Sequence, residues 1–475
     1  MATPATTTSS IGPITADAAP EGGSWIPKTR AARLTWRAWT ALAVMPLILV
    51  AAHALYGANQ RTSALTLVIV EAVTLLAWLA ASPTARQAIQ DGAVLRWPAV
   101  LFCLTLAAAA WSLTPWAPGG VLPIWDWTDV QGAATLDRTA TVIEILKLAG
   151  LGCIALVGFI QGVRPAAARA TLRIVMIVSA LYAFLAMARF LAGGEVVGQA
   201  GRMGAGFLSP NSAGTLFAVL TVLGVSWVVQ AVRRGGGDDG PEAALAFFTK
   251  VAGRLALVVL FSGCLFLTAS RAAIATTGLM LVVYMIWEMA AGGLKVRAGA
   301  AVLTTWAVHV AILLAGAGAL ALSRTAALGA DFAERGAIFA LHWKMFLASP
   351  LTGWGLGSFD QVNQQIMTPG SHAVLWKLRA AHNIFLQWLE EAGLVGAAPM
   401  FLAIALVMLL TLRGMGQRQE AKPWLRALLL ADGVFLVHGL SDFALQVPSL
   451  AAFWAFLLGL QLAMAHPRRR SQGAG

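Results

Sequence analysis

The chain has 475 residues, 59% of them hydrophobic and only 11% charged, with a mean hydropathy of +0.75 and a formal net charge of +12. That composition excludes a water-soluble globule and predicts an all-α polytopic membrane protein. The excess of basic residues does not point to nucleic acid, because most of the 33 Lys and Arg residues sit in alternate loops between apolar runs.

Residues 1–37, rich in Ala, Thr, Pro and Ser, read as a disordered tail. No secretory signal is evident, since the first apolar run is long enough to span and begins far from Met1. A crossing helix needs about 20 apolar residues. Nine such runs are predicted within 38–322, near 38–56, 62–82, 97–114, 139–161, 174–191, 211–232, 255–269, 271–290 and 299–322. A polar and aromatic insert follows at 323–392, then three spans within 393–465, near 393–412, 425–441 and 448–465, and a basic tail at 466–475. Clusters such as Arg164, Arg169, Arg173 and Arg413, Arg418, Lys422, Arg426 place both termini in the cytoplasm and the insert outside. The basic loops would then meet anionic lipid headgroups. Gly235–Gly237 with Asp238 and Asp239 reads as a flexible linker.

Within the spans, Cys103, Cys153 and Cys264 show no metal-ligand spacing and read as packing residues, so no metal or cofactor is expected. Charges at membrane depth are costly and need a reason. Glu144 and Lys147, three apart on one helix, either pair with each other or contact substrate. Glu71 and Asp432 lack evident partners and are expected to face the bundle interior. His53, His309, His438 and His466 are scattered and read as packing. Trp111, Trp116, Trp125 and Trp127 crowd one end of the third span, where an interfacial belt is the plain reading and stacking on sugar rings the sharper one.

The insert holds most of the chemistry. Apolar spacing predicts an amphipathic helix over Asp331–Ala348 carrying Arg335, His342 and Trp343, with His342 structural. Ser349-Pro350 ends it, and Gly353, Gly355 and Gly357 permit tight turns around Trp354. A second helix is expected from Lys377 through Glu391, with Arg379 and His382 on one side and Asn383, Gln387, Glu390 and Glu391 as a polar stripe. A cap lying on the bilayer explains the Trp and Arg residues, but explains His382-Asn383 poorly.

Three patterns in the insert, Arg335-x7-Trp343, Pro350-Leu351-x-Gly353-Trp354-Gly355-x-Gly357 and His382-Asn383-x2-Leu386-Gln387-x3-Glu391-x-Gly393-Leu394-x-Gly396, resemble the O-antigen ligase/polymerase family of bacterial envelope glycosyltransferases. The resemblance extends to Arg202-x3-Gly206-Phe207-x2-Pro210-Asn211, to Ser270-Arg271-Ala272 and to Ser441-Asp442-Phe443-x-Leu445-Gln446-x-Pro448. It implies an enzyme of the inner membrane, with its active site on the periplasmic side. The donor would be a glycan on undecaprenyl diphosphate, and the acceptor lipid A-core (a ligase) or a second lipid-linked glycan (a polymerase). Arg271 and Arg335, with Arg202 third, would neutralise the departing diphosphate. His382 would take or orient the acceptor proton. Asn211, Asn383, Gln387, Trp343 and Trp354 would line the substrate site, with Glu144, Lys147, Glu390, Glu391 and Asp442 in support. Direct attack would invert the anomeric carbon, and no Asp-x-Asp metal motif occurs. A twelve-helix secondary transporter is the alternative from another class, but it should show two related halves and functional charges near the midplane, and the halves do not look alike. A scaffold role would leave the Arg and His positions replaceable.

Overall fold

The computed structural model describes residues 34–194, 201–234, 241–291, 311, 325–418 and 420–466. The N-terminal tail up to residue 33, the Gly235–Asp239 linker, the span at 299–322 with His309 (residue 311 apart), and the tail beyond 466 lie outside the described residues. The described residues form helices joined by turns and loops, with no strand among them.

The chain runs through α1 (Trp36–Ala54), α2 (Arg61–Ala81), α3 (Pro83–Gln90), α4 (Arg96–Ser112), α5 (Arg138–Gly162), α6 (Pro165–Leu191), α7 (Pro210–Arg234), α8 (Pro241–Leu267) and α9 (Arg271–Ala290). After the undescribed stretch come α10 (Thr325–Ala348), α11 (Phe359–Gln365), α12 (His372–Leu375), α13 (Ile384–Met415), α14 (Lys422–His438) and α15 (Pro448–Ala465). Ten helical segments among the described residues are long and apolar enough to cross a membrane, and each corresponds to an expected span. The span expected at 425–441 is helical as α14, but its 17 residues rise only about 25 Å. The short seventh span is longer than its apolar run, because α8 starts at Pro241.

Nearly all of α7 and α15 is enclosed, whereas α2, α4 and α6 turn apolar faces outward. Ile69, Val73 and Leu76 on α2, and Ile177, Leu181 and Phe184 on α6, are exposed, as a hydrocarbon solvent requires. α15 packs on α5 at backbone contact. A Cβ on Gly158 would lie 2.1 Å from the Phe456 carbonyl oxygen, and one on Gly459 would lie 1.8 Å from that of Ala155. Small residues four apart, Gly158 and Gly162, make that approach possible without a hydrophobic drive between helices.

The insert corrects two expectations. Its first helix starts at Thr325 instead of Asp331. Its second does not start at Lys377: Asn383 is an N-cap whose Oδ1 accepts from the Phe385 and Leu386 N–H groups, so α13 begins at Ile384 and His382 lies before it. Apolar spacing continued past the cap and hid it. The glycine-rich turn also has a definite task. Gly393, at φ 57, breaks α13, and the turn fills the break. Trp354 N and Gly355 N donate to the Glu390 and Glu391 carbonyls at 3.0 and 2.8 Å, while Leu394 N and Val395 N donate to Pro350 O and Leu351 O at 2.8 and 3.0 Å. Backbone groups freed by the break are thus paired inside the protein.

Candidate active site

One end of the bundle gathers the N-termini of α7, α9 and α13, the α14–α15 turn and a face of α10. Ser209 Oγ accepts the Asn211 N–H at the start of α7, so Ser209 caps that helix and the Asn211 side chain turns to other partners. Its Oδ1 accepts from Arg202 Nη2 at 2.8 Å, and its Nδ2 lies 3.5 Å from Asp442 Oδ1. Arg202 Nε donates to Thr268 O at 2.9 Å, and Met203 N to Leu267 O at 2.8 Å, which fastens the segment before α7 to the end of α8. Arg271 opens α9 just beyond that turn, against the first turn of α7. There the close approach of Gly214 to Ser270 leaves only 2.9 Å for an added Cβ.

From the other side, Arg335 on α10 donates to Ser441 O at 2.7 Å. The next residue, Asp442, is fully buried, and His438 four positions before it sits 3.8 Å from Asp442 Oδ2 and 2.8 Å from Thr215 Oγ1. His382 meets Phe443 edge to face, with ring centroids 4.9 Å apart, and Ile384 N donates to Gly439 O at 2.9 Å. Its Nδ1 is buried with no hydrogen-bond partner among the described residues. Burial pulls the His382 pKa below the ordinary imidazole range; Asp442 opposes this, Arg335 adds to it and Glu334 opposes it again. The ring is therefore neutral at pH 7 and able to accept a proton. Five non-glycine residues adopt positive φ among the described residues: Tyr56, Ala58, Ala205, Ala269 and His382. All five lie in turns at this end, the clustering expected where structure is held for function.

A second layer lies between the insert and α13. His342 Nδ1 is 2.7 Å from Glu390 Oε2, both side chains being wholly buried. Glu391 accepts from Gly357 N at 2.8 Å and from Gln387 Nε2 at 3.0 Å, and Gln387 Oε1 in turn accepts the Ala381 N–H at 3.1 Å, just before His382. Trp354 Nε1 donates to Met345 O, while Trp343 is half exposed and leans on Phe346. Below this layer an apolar cavity of about 520 Å³ runs between α2, α4, α5, α13 and α15. It reaches from Ile384, Leu445 and Gln446 at the site to Val407 and Leu462 near the opposite end, and carries Glu71, Glu391 and the Glu144–Lys147 pair, which is 2.6 Å apart.

Residues 256–401 match the family model described as O-antigen ligase. The match supports the resemblance of the chain to the O-antigen ligase/polymerase family. It supports membrane glycosyl transfer of the ligase or polymerase type. No curated protein matches the chain. The O-antigen ligase match covers Arg271, Arg335, His342, His382 and the paired glutamates; Arg202, Asn211 and Asp442 lie outside it and reach the site through folding.

Of the residues singled out in the sequence, Arg202, Asn211, Arg271, Arg335, His382, Asn383 and Asp442 are brought to one place. Gln387, Glu390, Glu391 and Trp354 hold the insert on α13. Glu144 and Lys147 pair, as one of their two readings had it. Asp432 does have partners: Trp454 Nε1 and Gln461 Nε2 donate to it, each at 2.8 Å. His438, read as packing, meets Thr215 and Asp442 instead, and Thr215 and Glu334 were missed. The signal for His438 and Thr215 was spacing: His438 and Asp442, like Asn211 and Thr215, are four residues apart.

Proposed function

We propose that the protein is an inverting glycosyltransferase of the periplasmic face of the bacterial inner membrane, moving a glycan from undecaprenyl diphosphate to a sugar hydroxyl of lipid A-core. The observation that carries the reading is the convergence of Arg202, Arg335, His382 and Asp442 at one end of the bundle, beside the opening of α9 with Arg271. In the reaction, the acceptor O–H gives its proton to the neutral His382 imidazole, and its oxygen attacks the anomeric carbon. The carbon–oxygen bond to the diphosphate breaks, the electron pair leaves with the phosphate, and configuration inverts. Arg271 and Arg335 bind the diphosphate oxygens as charge grows there, a contribution on the order of a few kcal/mol per well-placed donor. Asp442 stabilises the protonated ring that forms on His382. The apolar cavity beside the site is suited to the hydrocarbon of a lipid-borne substrate.

The test is transfer by purified protein given undecaprenyl-diphosphate oligosaccharide with and without lipid A-core, with His382→Ala alongside. Product on lipid A-core alone supports the ligase. A ladder without lipid A-core reassigns the protein to polymerisation. No product from folded protein with its native donor, or full activity in His382→Ala, sinks the mechanism.

A further inference from the structure

α10 is a largely exposed helix: Glu334, Gly336, Ala337, Ala340, Trp343, Lys344 and Leu347 all face outward, while Ile338, His342 and Phe346 are buried. Arg335 and His342 are seven residues apart, which is two turns or about 10 Å along the axis. Arg335 reaches Ser441 O in the turn that carries Asp442 and Phe443. His342 reaches Glu390 on α13, seven residues after the Asn383 cap that follows His382. The two contacts therefore fix α10 against the elements on either side of the catalytic histidine.

The pair is an unusual choice for a surface helix. His342 and Glu390 are both 0% exposed, and His342 Nε2 and Glu390 Oε1 have no hydrogen-bond partner among the described residues. Burying such groups confers little stability over apolar residues of the same shape, and the best-attested use of a buried polar pair is to specify register. Its geometry is directional. The imidazole stacks on Phe359 at 4.8 Å and 21°, while the Glu390 carbonyl is held by Trp354 N at 3.0 Å, so both partners are fixed before they meet. An apolar contact between α10 and α13 would tolerate sliding or rotation; a 2.7 Å hydrogen bond between two fixed groups does not.

We propose that the buried His342–Glu390 pair is a positioning device that sets the register of α10 on α13 and thereby holds the Arg335 guanidinium beside His382. Neither residue touches substrate, and the catalytic part of the proposal rests on the transferase reading above. The informative variants are His342→Phe, which keeps an aromatic ring to stack on Phe359 but removes the hydrogen bond, and His342→Asn, which restores a donor near the Nδ1 position.

Two measurements separate the register from the reaction. The first uses spin labels at Leu347→Cys and Leu440→Cys, in a background with Cys103, Cys153 and Cys264 replaced by Ala. The label–label distance distribution should be narrow in that parent, broad in His342→Phe and narrow again in His342→Asn. A narrow distribution in His342→Phe overturns the register claim whatever the enzyme does. The second is steady-state transfer with undecaprenyl-diphosphate oligosaccharide, alongside thermal unfolding in detergent. His342→Phe should raise the donor KM at least ten-fold with a smaller change in kcat, His342→Asn should recover most of it, and His342→Phe should add nothing in an Arg335→Ala background. An equal further loss in that background shows an action independent of Arg335 and overturns the positioning claim. Wild-type kinetics in Arg335→Ala alone would remove the assigned role of Arg335, leaving the distance measurement to decide the register claim by itself.

Discussion

His382 sits at φ 54, a left-handed backbone that costs a side chain on the order of 1–3 kcal/mol and costs glycine almost nothing. The strain belongs to the backbone and the proposed chemistry to the ring, so two substitutions separate them. His382→Ala and His382→Gly should both reduce transfer about 10²–10⁴-fold, the usual range for a lost general base. Thermal unfolding should show the Gly variant more stable than the Ala variant, by about 1 kcal/mol. The reverse order would mean that packing of the turn does not depend on this conformation. A second outcome follows from charge. Burial depresses the His382 pKa and Asp442 partly restores it, so the neutral ring that the proposed mechanism needs persists above the folded pKa and is lost as pH falls through it, below the ordinary value near 6.5. The rising limb of the pH–rate profile should lie on the acid side of that value and move to still lower pH in Asp442→Asn, with a lower plateau because the base is weaker. The same depression means that the stability contributed by the neutral ring is present above the unfolded pKa and declines on acidification. A limb that stays in place in Asp442→Asn would show that the two groups are not coupled.

At the scale of elements, the break in α13 and the turn that fills it form one unit. A Cβ on Gly393 would lie 2.3 Å from the Leu351 carbonyl oxygen, a backbone atom that cannot swing aside, at a position already held at φ 57. Gly393→Ala should therefore destabilise by about 2 kcal/mol or more, through strain plus displacement of the turn. Gly120 supplies the control, with φ 72 but nothing within 4 Å of an added Cβ, so Gly120→Ala should show only the conformational part, about 1 kcal/mol. Unfolding in detergent compares the two. Equal losses would show that the turn yields easily and that the break does not depend on it.

For the whole molecule, the end opposite the site has its own tie. Arg426 Nη1 lies 2.7 Å from Glu288 Oε1, with both side chains buried, joining α14 to the last turn of α9, about 25 Å along that helix from Arg271. Removing one partner strands the other charge, so Glu288→Ala should cost about 3–5 kcal/mol, whereas Glu288→Leu with Arg426→Met should recover most of that loss. Transfer per folded molecule should be unchanged in the double variant, because the tie lies far from the site. Loss of activity there at full stability would show that the two ends are coupled.

Composition and run length alone determined a helical membrane protein, because crossing hydrocarbon forces long apolar segments whatever their neighbours. Sequence spacing also located most of the residues that meet at the site, since Arg335, His382 and Asp442 lie in motifs whose polarity is conspicuous against an apolar chain. Local pattern could not say which of them touch. Asn383 looked like a member of a polar stripe because apolar periodicity ran through it, and only the folded chain shows it closing a helix and setting His382 outside. His342 and Glu390 are 48 residues apart, His438 and Thr215 are 223 apart, and neither pairing has a signature in spacing. Such pairs are decided by how helices pack. A helix sequence specifies which face is apolar, and the partner polar group beneath that face comes from whichever distant segment the close-packed bundle places there.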